Sequence, residues 1–150
     1  MPITINKYSR AEIINTVFND STVDNYKNDY FICVNATGDM YAIPHFKLPH
    51  NNVLNIAFDD TDVDQYKSCP KGDEEHIYFS KACTVDQAIE IKKFIDNIPD
   101  NSNIHVYCAK GRSRSTAIAN FIEEYRNKGD KIYEFYNQYL YNLLLKVKNV

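Results

Sequence analysis

Ile104-His105-Val106-Tyr107-Cys108-Ala109-Lys110-Gly111-Arg112-Ser113-Arg114-Ser115-Thr116-Ala117-Ile118 is the stretch that decides the architecture. Ile104 to Tyr107 is dense in strand formers. After a short loop, Ala117, Ile118, Phe121, Ile122 and Tyr125 recur at the spacing of one helix side, over about 113–126. A strand that passes through a tight loop into a helix is the unit from which parallel α/β sheets are built. Upstream, Thr84-Val85-Asp86-Gln87 has capping-box spacing and opens a helix ending near Pro99, with Ala88, Ile91, Ile95 and Ile98 on one face. Val53–Ala57 and Tyr30–Val34 read as further strands, and Thr37-Gly38-Asp39 as a turn. Ile3–Ile5 reads as a short strand. Ser9-Arg10-Ala11-Glu12 is a second capping box, before a helix with Ala11, Ile14 and Phe18 inward. Downstream, Gly129 reads as the C′ residue of the 113–126 helix. A final helix carries Ile132, Phe135, Tyr136, Tyr139, Leu140, Leu143, Leu144 and Val147 as a core stripe. The expected fold is a single α/β domain over 1–150 with a central, mostly parallel β-sheet flanked by helices.

The chain has 150 residues, enough for one domain, and its 44% hydrophobic and 25% charged content is that of a globular protein. No run approaches the ~20 apolar residues of a membrane span, and the first residues lack a signal-peptide pattern. These features predict a cytoplasmic protein. The net charge of −3 argues against a broad basic face for duplex nucleic acid. Cys33, Cys69, Cys83 and Cys108 form no CxxC, and a reducing compartment disfavours a disulfide framework. His45, His50, His76 and His105 have no metal-ligand spacing, and Asp60-x-Asp62-x-Asp64 fails the EF-hand pattern at Gln65 and Lys71. No metal and no cofactor are expected.

The loop after Cys108 carries the chemistry. Backbone N–H groups of Ala109, Lys110, Gly111, Arg112, Ser113 and Arg114 can turn inward as an anion nest at a helix N-terminus. Gly111 permits backbone angles that a β-carbon resists. Arg114 can clamp an anion with two parallel N–H···O bonds. The same surroundings favour the Cys108 thiolate, a nucleophile aimed at a bound phosphorus. Ser115 can hydrogen-bond the sulfur. Lys110 and Arg112 add positive charge at the rim, where a second anionic group of a substrate would pass.

Cys-x5-Arg-Ser between strand and helix resembles the cysteine-based protein tyrosine phosphatases, in particular the small dual-specificity type of microbes and viruses. Leu54–Thr61 is similar to the segment that supplies the family's acid. Ala88–Ile98 is similar to the helix before the nucleophile strand, and Tyr136–Tyr141 to the closing helix. The resemblance implies the cysteine phosphatase fold and a phosphocysteine intermediate without metal. It also implies a catalytic set of Cys108, Arg114, Ser115 and an aspartate acid, with Asp60 the first candidate and Asp59 the second. The implied substrates are phosphotyrosine and phosphoserine/threonine in proteins. The same loop chemistry serves phosphoinositide and RNA 5′-triphosphate phosphatases. The chain departs from the family at Tyr107, where the family has histidine, and that departure keeps open a phosphate-binding protein of weak turnover. A rhodanese-like sulfurtransferase is a further alternative.

Overall fold

Four apolar runs become strands: β1 (Thr4–Ser9), β2 (Tyr30–Asn35), β3 (Val53–Ala57) and β4 (Asn103–Cys108). In the computed structural model, which describes residues 2–20, 26–37, 50–61 and 82–150, they pair in the order β1-β4-β2-β3. Every pairing is parallel, with Ser9 opposite Cys108, Cys33 opposite Tyr107, and Asn35 opposite Ala57. Strands that all run one way bring their carboxyl ends to one edge of the sheet, the edge where ligands of open α/β sheets bind. Ser9, Cys108, Asn35 and Ala57 therefore share an edge, although they are far apart in sequence.

Side-chain alternation along the strands divides the interior into two layers. Ile104, Val106 and Cys108 of β4 join Ile32 and Val34 of β2 in the larger core, and α3 (Val85–Asp96), α4 (Arg114–Tyr125) and α5 (Gln138–Val147) cover that face. Phe31, Cys33 and Tyr107 point the other way, onto Ile13, Val17 and Phe18. These come from α1 (Arg10–Asn15) and α2 (Val17–Asp20). The expected α/β fold with a sheet flanked by helices is what forms, and the sheet is parallel throughout. Among the described residues no helix is long and apolar enough to cross a membrane.

Both capping boxes form. The Ser9 and Thr84 side chains accept from the amides of Glu12 and Gln87, whose side chains accept in return from the two cap amides. The Gln87 amide group also donates to the Ala57 carbonyl at 2.8 Å, tying the start of α3 to the end of β3. Arg126 caps α3, donating to the carbonyls of Ile95 and Ile98.

Several boundaries differ from expectation. β1 runs on to Ser9 because it pairs along the whole of β4. The first helix breaks at Thr16, whose hydroxyl donates to the Glu12 carbonyl. This short geometry buries Ile13, Val17 and Phe18, while Ala11 and Ile14 face outward. α3 ends at Asp96, before Pro99. Lys128, not Gly129, takes the positive φ (58°) after α4. The final helix starts at Gln138, so Ile132 and Phe135 lie in the connection before it and are exposed. The turn at Gly38-Asp39, the acidic stretch beyond Thr61, Cys69, His45 and His76 lie outside the described residues.

Candidate active site

Cys108 ends β4 and Arg114 opens α4, so the anion loop is held between a central strand and a buried helix. Its fit depends on Gly111, which adopts φ +69°. A β-carbon there would sit 2.6 Å from the Ser9 nitrogen and 2.8 Å from the Tyr8 carbonyl carbon, so the loop is pressed onto the end of β1. The Arg10 amide donates to the Ala109 carbonyl at 3.3 Å and pins the same side. Among the described residues no acceptor engages the amides of Lys110, Gly111 or Arg112, which leaves them available as the nest requires.

The Cys108 sulfur lies 3.1 Å from the Ser115 hydroxyl oxygen and 3.4 Å from the Ser115 amide nitrogen. Burial alone would push this thiol up. The Ser115 hydroxyl, the Ser115 amide, the Arg114 charge and the Ser113 amide together outweigh it, and the thiol ionises below its ordinary value. Among the described residues Cys33 and Cys83 have no such neighbours, and burial pushes both up to about 12.

Arg114 is 5% exposed. Its Nη1 donates to the Phe58 carbonyl at 2.8 Å, which fixes one edge of the guanidinium. Its Nε is buried with no hydrogen-bond partner among the described residues. A buried N–H of a cation left unpaired is costly, and an anion held by the loop would satisfy it. The residues present therefore suit a tetrahedral oxyanion.

The two candidate acids are separated by the turn after β3. Both carboxylate oxygens of Asp59 accept from Thr37, at 3.0–3.1 Å, so that side chain serves to tie down the end of β2. Asp60 instead lines a cleft of about 420 Å³ with Cys108, Ala109, Lys110, Arg112, Ser113, Arg114 and Phe135. Its Oδ1 accepts from the Ser113 hydroxyl at 2.7 Å and from Asn137 Nδ2 at 2.8 Å. Ser113 occupies the N-cap of α4, yet makes no side-chain cap bond there because its hydroxyl is turned to Asp60. The structure thus brings together Cys108, Arg114, Ser115, Asp60 and the loop 109–113, and leaves Asp59 apart. Lys110 and Arg112 are exposed at the cleft, as expected of rim residues.

Sequence reasoning alone missed three contributors. Asn137 caps α5, its Nδ2 donates to Asp60, and its backbone amide donates to the Ser113 carbonyl at 3.0 Å. Asparagine just ahead of an apolar helix stripe is a start signal, and weighing it would have found both the cap and the shorter helix. Phe58 fixes Arg114 through its backbone carbonyl, so no side-chain pattern reveals that role. Asn35 accepts a 2.6 Å hydrogen bond from the Tyr107 hydroxyl, on the face of the sheet away from Cys108.

No family model, curated protein or solved structure matches the chain. Among the described residues there is no group of three His, Cys, Asp or Glu placed to hold a metal ion.

Proposed function

We propose that the chain is a cysteine-dependent phosphatase that hydrolyses phosphate monoesters through a phosphocysteine intermediate. The observation that carries this reading is the convergence of a stabilised thiolate, a buried arginine with an unpaired Nε and a carboxylate held by Ser113 and Asn137 around one cleft. Phosphate oxygens would lie against the loop amides and Arg114, with phosphorus in line with the Cys108 sulfur. Sulfur attacks phosphorus and the bond to the ester oxygen breaks. Protonated Asp60 gives its proton to the departing oxygen. Among the described residues both of its hydrogen bonds go to Oδ1, which leaves Oδ2 for that proton. Asp60, now a carboxylate, then takes a proton from water as that water attacks phosphorus. The P–S bond breaks, and the Ser115 hydroxyl stabilises the departing thiolate. The resemblance points to phosphotyrosine, with phosphoserine and phosphothreonine as further protein substrates.

The test is hydrolysis of p-nitrophenyl phosphate in the presence of a chelator, by the native chain and by Cys108→Ser. Turnover by the native chain alone, with a trapped phosphocysteine, is the expected result. Turnover that survives in the serine variant would refute the covalent route. Phosphate binding without turnover would favour the second reading, which Tyr107 in place of histidine motivates. Sulfur transfer from thiosulfate to cyanide would instead identify a rhodanese-like enzyme.

A further inference from the structure

A second hollow of about 390 Å³ adjoins the Cys108 cleft, lined by Lys7, Arg112, Thr116, Tyr133, Glu134 and Phe135. Arg112 and Phe135 line both, so the two lie side by side. The outer hollow draws on β1, the anion loop, α4 and the connection to α5, and that connection is firmly held. Asn120, fully buried on α4, accepts from the amides of Ile132 and Tyr133 and donates to the Tyr133 carbonyl, each at 2.9 Å. At its far end Asn137 bonds Ser113 and Asp60. Phe135, 72% exposed, is thus carried on a braced segment at the wall between the hollows. Lys7 Nζ lies 5.0 Å from the centre of the Tyr133 ring, which holds its charge over the outer hollow.

We infer that this outer hollow is a specificity shelf that selects phosphotyrosine peptides with an acidic residue beside the phosphotyrosine. The inference rests on the phosphatase reading for the inner cleft and adds the substrate sequence. With the phosphate in the loop, the tyrosyl ring passes Phe135, and the adjoining peptide reaches Lys7 and Arg112. The charges of the shelf choose the ligand class. Lys7 and Arg112 are positive and Glu134 is negative, so the shelf carries about one net positive charge. That suits a side-chain carboxylate. A polyphosphate would meet Glu134 at close range and find few cations to neutralise it, so the same shelf disfavours inositol polyphosphates and triphosphate-ended RNA.

The test measures binding of fluorescent phosphotyrosine peptides to the full chain carrying Cys108→Ser, which keeps the loop while removing the thiolate. One peptide has Asp and Glu flanking the phosphotyrosine, and the other has Ser and Gln. Exposed ion pairs each contribute roughly 1.5- to 5-fold, so the acidic peptide should bind about 5-fold tighter at low salt. That ratio should fall to 2-fold or less with Lys7→Ala, rise with Glu134→Gln, and collapse at high salt. Each ratio is taken within one protein, so a general loss of affinity cancels. Equal affinities in the parent, or a ratio that neither substitution moves, would overturn the shelf. So would tighter binding of inositol hexakisphosphate than of the acidic peptide. A native chain that turns over neither peptide while the binding ratio persists would refute the phosphatase reading and leave the shelf standing. Turnover without peptide preference would do the reverse.

Discussion

Tyr107→Phe removes one oxygen atom from the face of the sheet opposite the cleft, and its effect should still reach the cleft. The Tyr107 hydroxyl is fully buried and donates to Asn35 Oδ1 at 2.6 Å. The ring would stay in place, because its edge-on contact with Phe18 (centroids 6.2 Å apart, 87° between planes) does not involve the hydroxyl. Asn35 is 5% exposed, so its oxygen would lose that donor with little water to replace it. The cost of such a loss is about 1–3 kcal/mol. In a chain of this length each kcal/mol lowers Tm by about 2–4 °C, so a drop of roughly 2–12 °C is expected. The path onward is through the backbone. The Asn35 carbonyl accepts from the Phe58 amide at 3.0 Å, and the Phe58 carbonyl accepts from Arg114 Nη1 at 2.8 Å. Freeing Asn35 loosens the carbonyl that orients the guanidinium, and kcat/KM for p-nitrophenyl phosphate should fall about 3- to 10-fold, or roughly 0.7–1.4 kcal/mol. Calorimetry and steady-state kinetics on Tyr107→Phe, Asn35→Ala and the double variant complete the cycle, with a coupling of about 1 kcal/mol expected. Additive effects in the cycle, or a Tm loss with unchanged kcat/KM, would refute the relay.

Alkylation of Cys108 by iodoacetamide should inflect below the ~8.5 of a free thiol, and Ser115→Ala should move the inflection upward; mass spectrometry should find Cys33 and Cys83 unmodified over that pH range. Asp60→Asn should lower kcat by roughly 10²–10⁴-fold for an alkyl phosphate and much less for p-nitrophenyl phosphate, whereas Asp59→Ala should lower Tm without that leaving-group dependence, since it removes the acceptors of the Thr37 amide and hydroxyl. Gly111→Ala should reduce turnover and stability together. The left-handed conformation alone costs about 1–2 kcal/mol, and the added carbon collides with β1 backbone rather than with a side chain that can move. Stability should also fall on acidification. His105, packed between Phe31 and Tyr26 and bonded to Asp29 and Tyr8, is held below its ordinary value because burial outweighs the opposing pull of Asp29, with His50 acting in the same direction as burial. The unfolded chain therefore takes up its proton first. The contribution is complete above about pH 6.5 and is lost as the pH falls toward the folded value. Urea titrations at a series of pH values should find that slope reduced in His105→Gln.

The sheet and the loop from Cys108 to Arg114 were legible because each is a local signal. Strand formers cluster at 30–34, 53–57 and 104–107, capping boxes mark Ser9 and Thr84, and Cys108 and Arg114 lie on one short loop with Gly111 between them. The boundaries that moved did so for tertiary reasons. Thr16 interrupts the first helix by bonding its own turn, and the inward face then follows Ile13 and Val17 rather than Ala11 and Ile14. The stripe that began at Ile132 was misleading because Asn120 captures the backbone at 132 and 133 before a helix can form there. Hydrophobic spacing cannot reveal a buried asparagine 12 residues upstream that competes for the same amides.

The choice between Asp59 and Asp60 has the same character. In sequence the two are adjacent and chemically identical, and both follow a strand. What separates them is which partner the fold brings to each. β2 and β3 pair with Asn35 opposite Ala57, and this register brings Thr37 against Asp59. The neighbouring carboxylate is directed to the other side of the turn, toward Ser113 and Asn137. Ser113 gives up its own capping bond in the process, and Asn137 caps one helix while holding a side chain from a distant strand end. Two polar residues at helix starts thus hold Asp60 at the mouth of the cleft, two residues after the Phe58 carbonyl that fixes Arg114. A helix N-terminus read from sequence predicts only that its first residue will bond its own helix. Here that residue bonds the carboxylate on which the proposed proton transfer depends, and only the three-dimensional meeting of β3, α4 and α5 could reveal it.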